Sequence, residues 1–270
     1  MKLGSVLKQI IQDKKKLVEE SKNKISLEEL KNKTSEIIKP INFKNIFNSN
    51  EISLIAEIKR SSASAGDILP ELNLSDITNT YIKGGVSAIS ILTEKTRFGG
   101  SLSDLKEVAS ICKTNNVPVL QKDFIFDVYQ IYEGAINGAS AALIIVSILD
   151  EKELNKLIKK CKELSITPLV EIFNEYELNL ALDNGADVIG INNRNLNNLE
   201  TSLKIFEELS PMVPKDKILI SESGIKTIED VKLMSDQGAD GVLVGESILK
   251  SENINDLSLI HISEPTRLHV

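Results

Sequence analysis

Five charged residues stand where charge is costly. Glu57 and Lys59 break into the apolar stretch "LIAEIK", Lys122 closes "VPVLQK", Glu171 closes "TPLVE", and Glu222 follows "KILIS". Charged side chains are almost never fully buried unless paired. Two lysines and three glutamates of this kind can move protons. An ammonium gives one to an oxygen that is gaining charge, and a carboxylate takes one away. A structural ion pair between Glu57 and Lys59 is the simpler alternative. It leaves Lys122 and Glu171 unexplained. Asn192, Asn193 and Arg194 close a further apolar run, "VIGIN", where an asparagine could also cap a loop. Glu94, in "LTEKTRFGGS", reads as a structural loop residue.

Two glycine-bearing turns resemble a phosphate cradle. "SESGIKTIED" puts Ser223 and Gly224 before a helix starting near Thr227, and "VGESILKSEN" puts Gly245, Glu246 and Ser247 before another. Backbone N–H groups at such turns and helix starts favour anions. Each turn alone is common; the two together are more specific.

The elements that must position these residues alternate along the chain. Short Ile/Val/Leu-rich runs start near residues 54, 88, 117, 141, 167, 188, 217 and 241. Charged amphipathic segments such as "SLSDLKEVASICKTNN" and "DEKELNKLIKKCKELS" lie between them. Strands alternating with helices imply parallel pairing through crossovers. Eight such units predict a (β/α)8 barrel, in which the active site is built from the C-terminal ends of the strands. "KGGVSAIS", "INGASAAL", "DNGADVIG" and "DQGADGVL" repeat one grammar, a glycine just after a helix and before a strand. An open doubly wound sheet is the alternative architecture. Residues 1–48 precede the first strand and read as two helices, "SVLKQIIQDKKKLVEES" and "SLEELKNKTSEIIK", packed on the barrel as an extension of one domain spanning 1–256.

Composition bounds the rest. The chain has 270 residues, 41% hydrophobic and 26% charged, with net charge -7, so it offers no basic footprint for nucleic acid. Cys112 and Cys161 have no metal-ligand spacing and read as reduced thiols of a cytoplasmic protein. No apolar run reaches the ~18 residues of a membrane span, and no signal-peptide pattern opens the chain.

At this point a resemblance enters. "IAEIKRSSASAG", "ILTEKTRFGGSLSDL", "VPVLQKDFIFDVYQIYEG", "LVEIFNEYEL", "IGINNRNL", "ISESGI" and "VLVGESIL" are similar, in order, to the motifs of the indole-3-glycerol-phosphate synthase family. The match runs from about Leu3 to Ile254. The resemblance implies a carboxy-lyase of tryptophan biosynthesis without cofactor or metal. Its reaction turns 1-(2-carboxyphenylamino)-1-deoxyribulose 5-phosphate into indole-3-glycerol phosphate, carbon dioxide and water. It also implies the roles. Lys122 is the acid at ring closure, Glu171 the base, and Glu57 shares proton transfer. Lys59 binds phosphate or the substrate carboxylate, or is the second acid. Asn192 and Arg194 orient the substrate. Glu222 and Ser223 hold hydroxyls and the lysine network. Ser62, Gly224, Gly245 and Glu246 cradle phosphate, and Phe98 and Phe124 face the aromatic ring. The expected partner is a phosphorylated small molecule, with no nucleic acid and no membrane. The expected state is a cytoplasmic monomer, with association with other tryptophan-pathway enzymes as a further implication.

Two departures from the family pattern stand out. Ala63 occupies the place of a proline in the "SAS" loop, which removes a fixed φ. The end, "LSLIHISEPTRLHV" at 257–270, has no helical or strand period and is expected to be a non-native tail that truncates the eighth helix. Three competing activities stay open. One is a sugar-phosphate isomerase, which would want a Cys or Asp pair. Another is a Schiff-base aldolase using Lys122. The third is a non-catalytic phosphate-binding barrel.

Overall fold

A computed structural model describes residues 4–49, 51–62, 66–67, 73–195 and 200–245. Its centre is a closed barrel of eight parallel strands: β1 (Ser53–Ile58), β2 (Ala88–Leu92), β3 (Val119–Lys122), β4 (Ala141–Ile145), β5 (Thr167–Ile172), β6 (Val188–Asn192), β7 (Ile218–Glu222) and β8 (Gly241–Val244). Each strand pairs with its neighbours in sequence, and β8 closes on β1. The closure excludes the open doubly wound alternative and establishes the TIM-barrel architecture. The strand starts fall within two residues of those expected from the apolar runs.

Among the described residues, seven helices lie outside the strands: α3 (Leu74–Lys83), α4 (Leu102–Thr114), α5 (Val128–Ile136), α6 (Glu151–Glu163), α7 (Glu175–Asp183), α8 (Lys204–Leu209) and α9 (Ile228–Asp236), after α1 (Ser5–Lys24) and α2 (Leu27–Ser35) of the extension. All but α8 among the seven start on a side-chain cap from Asn, Ser, Asp or Thr, which satisfies an otherwise orphaned N–H. The expected tail, the eighth barrel helix after β8 and Ala63 all lie outside the described residues. Cys112 and Cys161 are buried in α4 and α6 as free thiols. Among the described residues, no helix is long and apolar enough to cross a membrane.

Two apolar layers form because side chains alternate along each strand. Outward residues such as Ala56, Ile89, Val170, Ile189 and Val242 pack under the helices. Inward residues Ile55, Ala88, Leu120, Ala141, Leu143, Leu169, Val188, Ile220 and Leu243 fill the interior. Fully buried Phe43, on a short 3-10 turn (Phe43–Phe47) that the sequence reading missed, plugs the N-terminal end of that interior.

The extension is tied to the rim at the other end. Val18 of α1 and Leu30 of α2 pack on Tyr129 and Tyr132 of α5. The Tyr129 hydroxyl donates to the Ile25 carbonyl at 2.9 Å, and Lys22 pairs with Asp127 at 2.7 Å. Lys14 reaches Asp123, just past β3, at 2.6 Å. Asp123 is almost wholly buried and also accepts from the Thr93 hydroxyl at 2.6 Å and the Phe124 N–H at 2.8 Å. Removing one partner of a buried pair costs roughly 3–5 kcal/mol, because the other charge is left unpaired. Lys14→Met is therefore expected to lower the urea midpoint substantially, whereas Lys22→Met, at a more exposed pair, is expected to change it little. Equal small effects in urea unfolding would show that the extension is held by apolar contacts alone.

Candidate active site

The barrel register brings the charged strand ends into one layer. Inward positions are Glu57 on β1, Lys122 on β3, Glu171 on β5 and Glu222 on β7. The parallel pairings Glu57↔Ser90, Leu92↔Lys122, Glu171↔Gly190 and Asn192↔Glu222, with one residue of stagger per strand, set these four at one height. Layers of four side chains from alternate strands are the packing rule of this fold. Here the uppermost layer is charged.

The Lys122 ammonium sits 2.8 Å from Glu222 Oε2, 3.8 Å from Glu57 Oε2 and 4.0 Å from Glu171 Oε2. Burial works against its charge. The carboxylates of Glu222, Glu57 and Glu171 outweigh that and raise its pKa above the usual lysine range. Glu57 stands between two lysines. Its Oε1 takes Lys59 Nζ at 2.8 Å, while Oε2 faces Lys122. Burial pushes its pKa up, but Lys59, Lys122 and the field of Arg194 bring it below the ordinary value. Glu171 goes the other way. Burial, and then the charge of Glu222, lift it to about 8, although Lys122 and the Asn192 side chain favour its charged form. Two carboxyls with opposite shifts around one ammonium are the pattern expected where acid and base roles are divided.

Glycines make this crowding feasible. A Cβ on Gly245 would lie 2.7 Å from Glu57 Oε1. The turn after β8 therefore receives the Glu57 carboxylate. Lys59 holds that same oxygen, at 2.8 Å.

The turn after β7 has the strained form expected of a built site. Ser223 and Gly224 both have positive φ, 65° and 84°. For Ser223 this is an uncommon region. The helix that follows is α9, beginning at Ile228 with Thr227 as its cap, close to the expected start. Its N-terminus is partly satisfied from within. Asp230 accepts from the N–H groups of Lys226 and Thr227, and Thr227 accepts from Asp230 N–H. The turns, with the N–H groups at the start of α9 that this capping does not use, are the candidate anion donors.

Phe98 and Phe124, half-buried, face each other with ring centroids 6.4 Å apart. Asn192 is buried at the end of β6, where its Oδ1 accepts from Arg194 N–H at 2.9 Å. Ser62 is in a two-residue antiparallel pairing, Ser61–Ser62 with Gly66–Asp67. The Ser62 side chain and all of Glu246 lie outside the described residues. Glu94 accepts from the N–H groups of Thr96, Arg97 and Phe98, at 2.9, 2.6 and 3.2 Å, and so shapes the loop bearing Phe98. That agrees with the structural reading of Glu94. Among the described residues, no group of three or more His, Cys, Asp or Glu is placed to hold a metal ion.

Sequence reasoning missed several supports. Asn193 is fully buried. Its amide donates to Ser221 Oγ at 2.9 Å and to the Glu222 and Ser223 carbonyls at 3.1 and 3.2 Å. Its Oδ1 accepts from Phe206 N–H at 3.1 Å and so caps α8, which has no cap of its own. Ser90 lies inside the barrel next to Glu57, fully buried. Asn193 is legible in the sequence only as a strand-end residue and Ser90 not at all; their supporting roles show only in the assembled register.

Comparison with known proteins agrees with this geometry. The family model described as indole-3-glycerol phosphate synthase matches residues 7–258. A curated protein of that name from Alkaliphilus metalliredigens is 41% identical over 252 residues, covering 93% of this chain and 95% of its own length. Another, from Caldanaerobacter subterraneus subsp. tengcongensis, is 43% identical, covering 92% of this chain and 94% of its own length. Among solved structures, 3-hexulose-6-phosphate synthase from Salmonella typhimurium superposes with a TM-score of 0.63 at 17% identity, covering 77% of this chain and 96% of that one, a likeness of fold alone. A charged strand-end layer on a closed barrel and a family match over nearly the whole chain lead to one assignment: the chain belongs to the indole-3-glycerol phosphate synthase family.

Proposed function

We propose that this chain carries out its family's reaction, the decarboxylating and dehydrating ring closure of 1-(2-carboxyphenylamino)-1-deoxyribulose 5-phosphate, with Lys122 as the acid. The observation that carries the reading is the Lys122 ammonium among three carboxylates, 2.8 to 4.0 Å away. They hold it protonated. An ammonium so held can give its proton to the ketone oxygen as the ring carbon attacks. A Schiff-base lysine needs the opposite, an amine freed of its proton, so the geometry favours the acid over the aldolase reading.

The other roles follow from position. Glu171 is the base that takes the proton lost from the CH2 carbon next to nitrogen in the dehydration, the nitrogen keeping its own hydrogen. Glu57, between two lysines, shares proton transfer. Lys59, which holds Glu57 Oε1, is assigned to the anionic end of the substrate. Glu222 is completely buried under Lys122, so it belongs to the lysine network rather than to substrate hydroxyls. Asn192 and Arg194 orient the substrate. Ser62, Ser223, Gly224, Gly245 and Glu246 hold the phosphate, and Phe98 and Phe124 take the aromatic ring. We read residues 1–48 as part of the same domain, given the Lys14–Asp123 contact. The partner is a phosphorylated small molecule, and the working state is a cytoplasmic monomer.

Lys122→Met keeps the length of the side chain and removes the proton. Turnover, followed by the fluorescence of indole-3-glycerol phosphate, should fall by at least ~100-fold, the low end for a general acid. Retained turnover would reject the assignment. Borohydride trapping with substrate is expected to leave Lys122 unmodified; covalent capture there would favour the aldolase reading.

A second prediction concerns pH. If Glu171 is the base, kcat/KM should rise with pH until about 8, where its carboxyl becomes ionised, and Glu171→Gln should flatten that limb. The stability sign follows from the same shift. A carboxyl whose folded pKa lies above its unfolded value contributes stability at low pH and loses it as pH rises through the folded pKa. Glu171→Gln should therefore raise the thermal midpoint at pH 9 and leave it nearly unchanged at pH 4. Equal shifts at both values would mean that burial of Glu171 carries no charge penalty.

A further inference from the structure

Gly190 occupies the middle of β6, between Val188 and Asn192, and points into the barrel. It pairs with Glu171 of β5 on one side and Ile220 of β7 on the other. It has no positive φ, so its backbone does not need glycine. In a strand interior glycine is unfavourable by roughly 0.5–1 kcal/mol relative to alanine. A glycine kept in that setting marks close approach by something else.

What approaches is Glu222. A Cβ on Gly190 would lie 2.2 Å from Glu222 Oε1 and 3.3 Å from its Cδ, with Leu169 Cδ1 at 3.2 Å. The side chain of Glu222 is fully buried and pinned at one end only. Oε2 meets Lys122 Nζ at 2.8 Å. Oε1 has no hydrogen-bond partner among the described residues. With no polar group holding Oε1, the shape of the wall decides where the carboxylate lies. On the diametrically opposite strand, β2, the inward residue of the same layer is Ser90, which is small and also buried. Leu143 and Leu243 complete the layer. Two large and two small side chains thus floor the charged layer, and the space over Gly190 is where Glu222 lies.

We propose that Gly190 is a positioning residue: its missing side chain is the recess that holds the Glu222 carboxylate against the Lys122 ammonium. The proposal deepens the functional reading above and rests on Lys122 being the acid. Gly190 touches no substrate atom in this assignment and acts through Glu222. Filling the recess pushes the carboxylate off Lys122, which then sits among its remaining partners in a different place. Misplacement of a reacting group by about 1 Å can cost on the order of 100-fold in rate.

The test is a double-mutant cycle with Gly190→Ala and Glu222→Ala, read in turnover, in pH profile and in thermal midpoint. Glu222→Ala removes the carboxylate, so a methyl at 190 then meets only Leu169 Cδ1, at 3.2 Å, the movable end of a side chain. In the wild-type background, Gly190→Ala should lower kcat by ~100-fold with KM changed far less. It should also move the alkaline limb of the profile to lower pH, because Lys122 loses its nearest carboxylate. In the Glu222→Ala background, Gly190→Ala should change the residual kcat by less than about threefold. The thermal midpoint should follow the same pattern: lowered by Gly190→Ala alone, and unchanged or raised when Glu222 is already alanine. If Gly190→Ala alone does not fold, recovery of folding by the second substitution supports the recess. Equal losses in both backgrounds would overturn the proposal, because Gly190 would then act through something other than Glu222. So would coupling in midpoint without coupling in kcat, because the recess would then be packing only. Failure of the functional reading shows separately, as absence of indole-3-glycerol phosphate formation by the wild-type chain, and leaves the midpoint cycle readable.

Discussion

The Lys122 ammonium lies among three carboxylates, and much of the barrel's upper half is arranged to keep it there. In the charged layer and its rim, Glu57, Glu171 and Glu222 stand against Lys122 and Lys59, three acids and two bases. Buried charge of this sort is weak evidence for stability, because taking each ion out of water costs several kcal/mol and the mutual attraction must repay it. The imbalance settles on one group. Lys59 and Lys122 keep Glu57 ionised, Lys122 alone contacts Glu222, and Glu171 is left with burial and the charge of Glu222 pushing its pKa to about 8. Of Glu57 and Glu171, the one whose pKa is raised is thus the one with less help from the lysines.

Holding such a layer in place takes a supporting shell, and that shell is polar and buried. Asn193 joins the ends of β6 and β7 to α8. Glu94 gathers three N–H groups of the β2 loop. Asp123 joins the start of the β3 loop to Thr93 and, through Lys14, to the extension. Each of these satisfies backbone or side-chain groups that would otherwise be buried without partners, at a cost of about 1–3 kcal/mol apiece. Their placement is the reason the charged side chains project from strand ends rather than from loops. Sites on such elements hold their geometry more closely.

Much of this was readable from the chain, for a physical reason. Parallel strands covered on both faces are continuous apolar runs, so "AALIIVSI" and "VIGINN" show themselves, and the glycine after each helix marks where the next strand begins. Charges at the ends of those runs stand out because nothing else explains them. Residues that work through register do not stand out. Gly190 reads as an ordinary strand glycine until β7 is laid beside it and Glu222 falls against it. Lys14 reads as one of several lysines on a solvated helix until the chain returns to it at Asp123, 109 residues later. The α9 start was placed correctly from "SGIKTIED", but the self-capping by Asp230 shows only in the hydrogen bonds.

The charge pattern also matches the proton count of the proposed reaction. Ring closure places one proton on the ketone oxygen. Dehydration places a second on the departing hydroxyl and removes one from the carbon next to nitrogen. Two protons are delivered and one is taken back. Two ammoniums near the reacting centre can deliver protons, and a carboxyl that ionises near neutrality can receive one. The substrate, with its phosphate and carboxylate, is itself an anion. Nearby negative charge favours the protonated form of Glu171, so anion binding and proton uptake are linked in this layer. Loss of the carboxylate as carbon dioxide comes before the step that needs the base, so a negative group has left by the time Glu171 must accept. The order of charges in the reaction thereby suits a base whose proton affinity depends on its anionic neighbours.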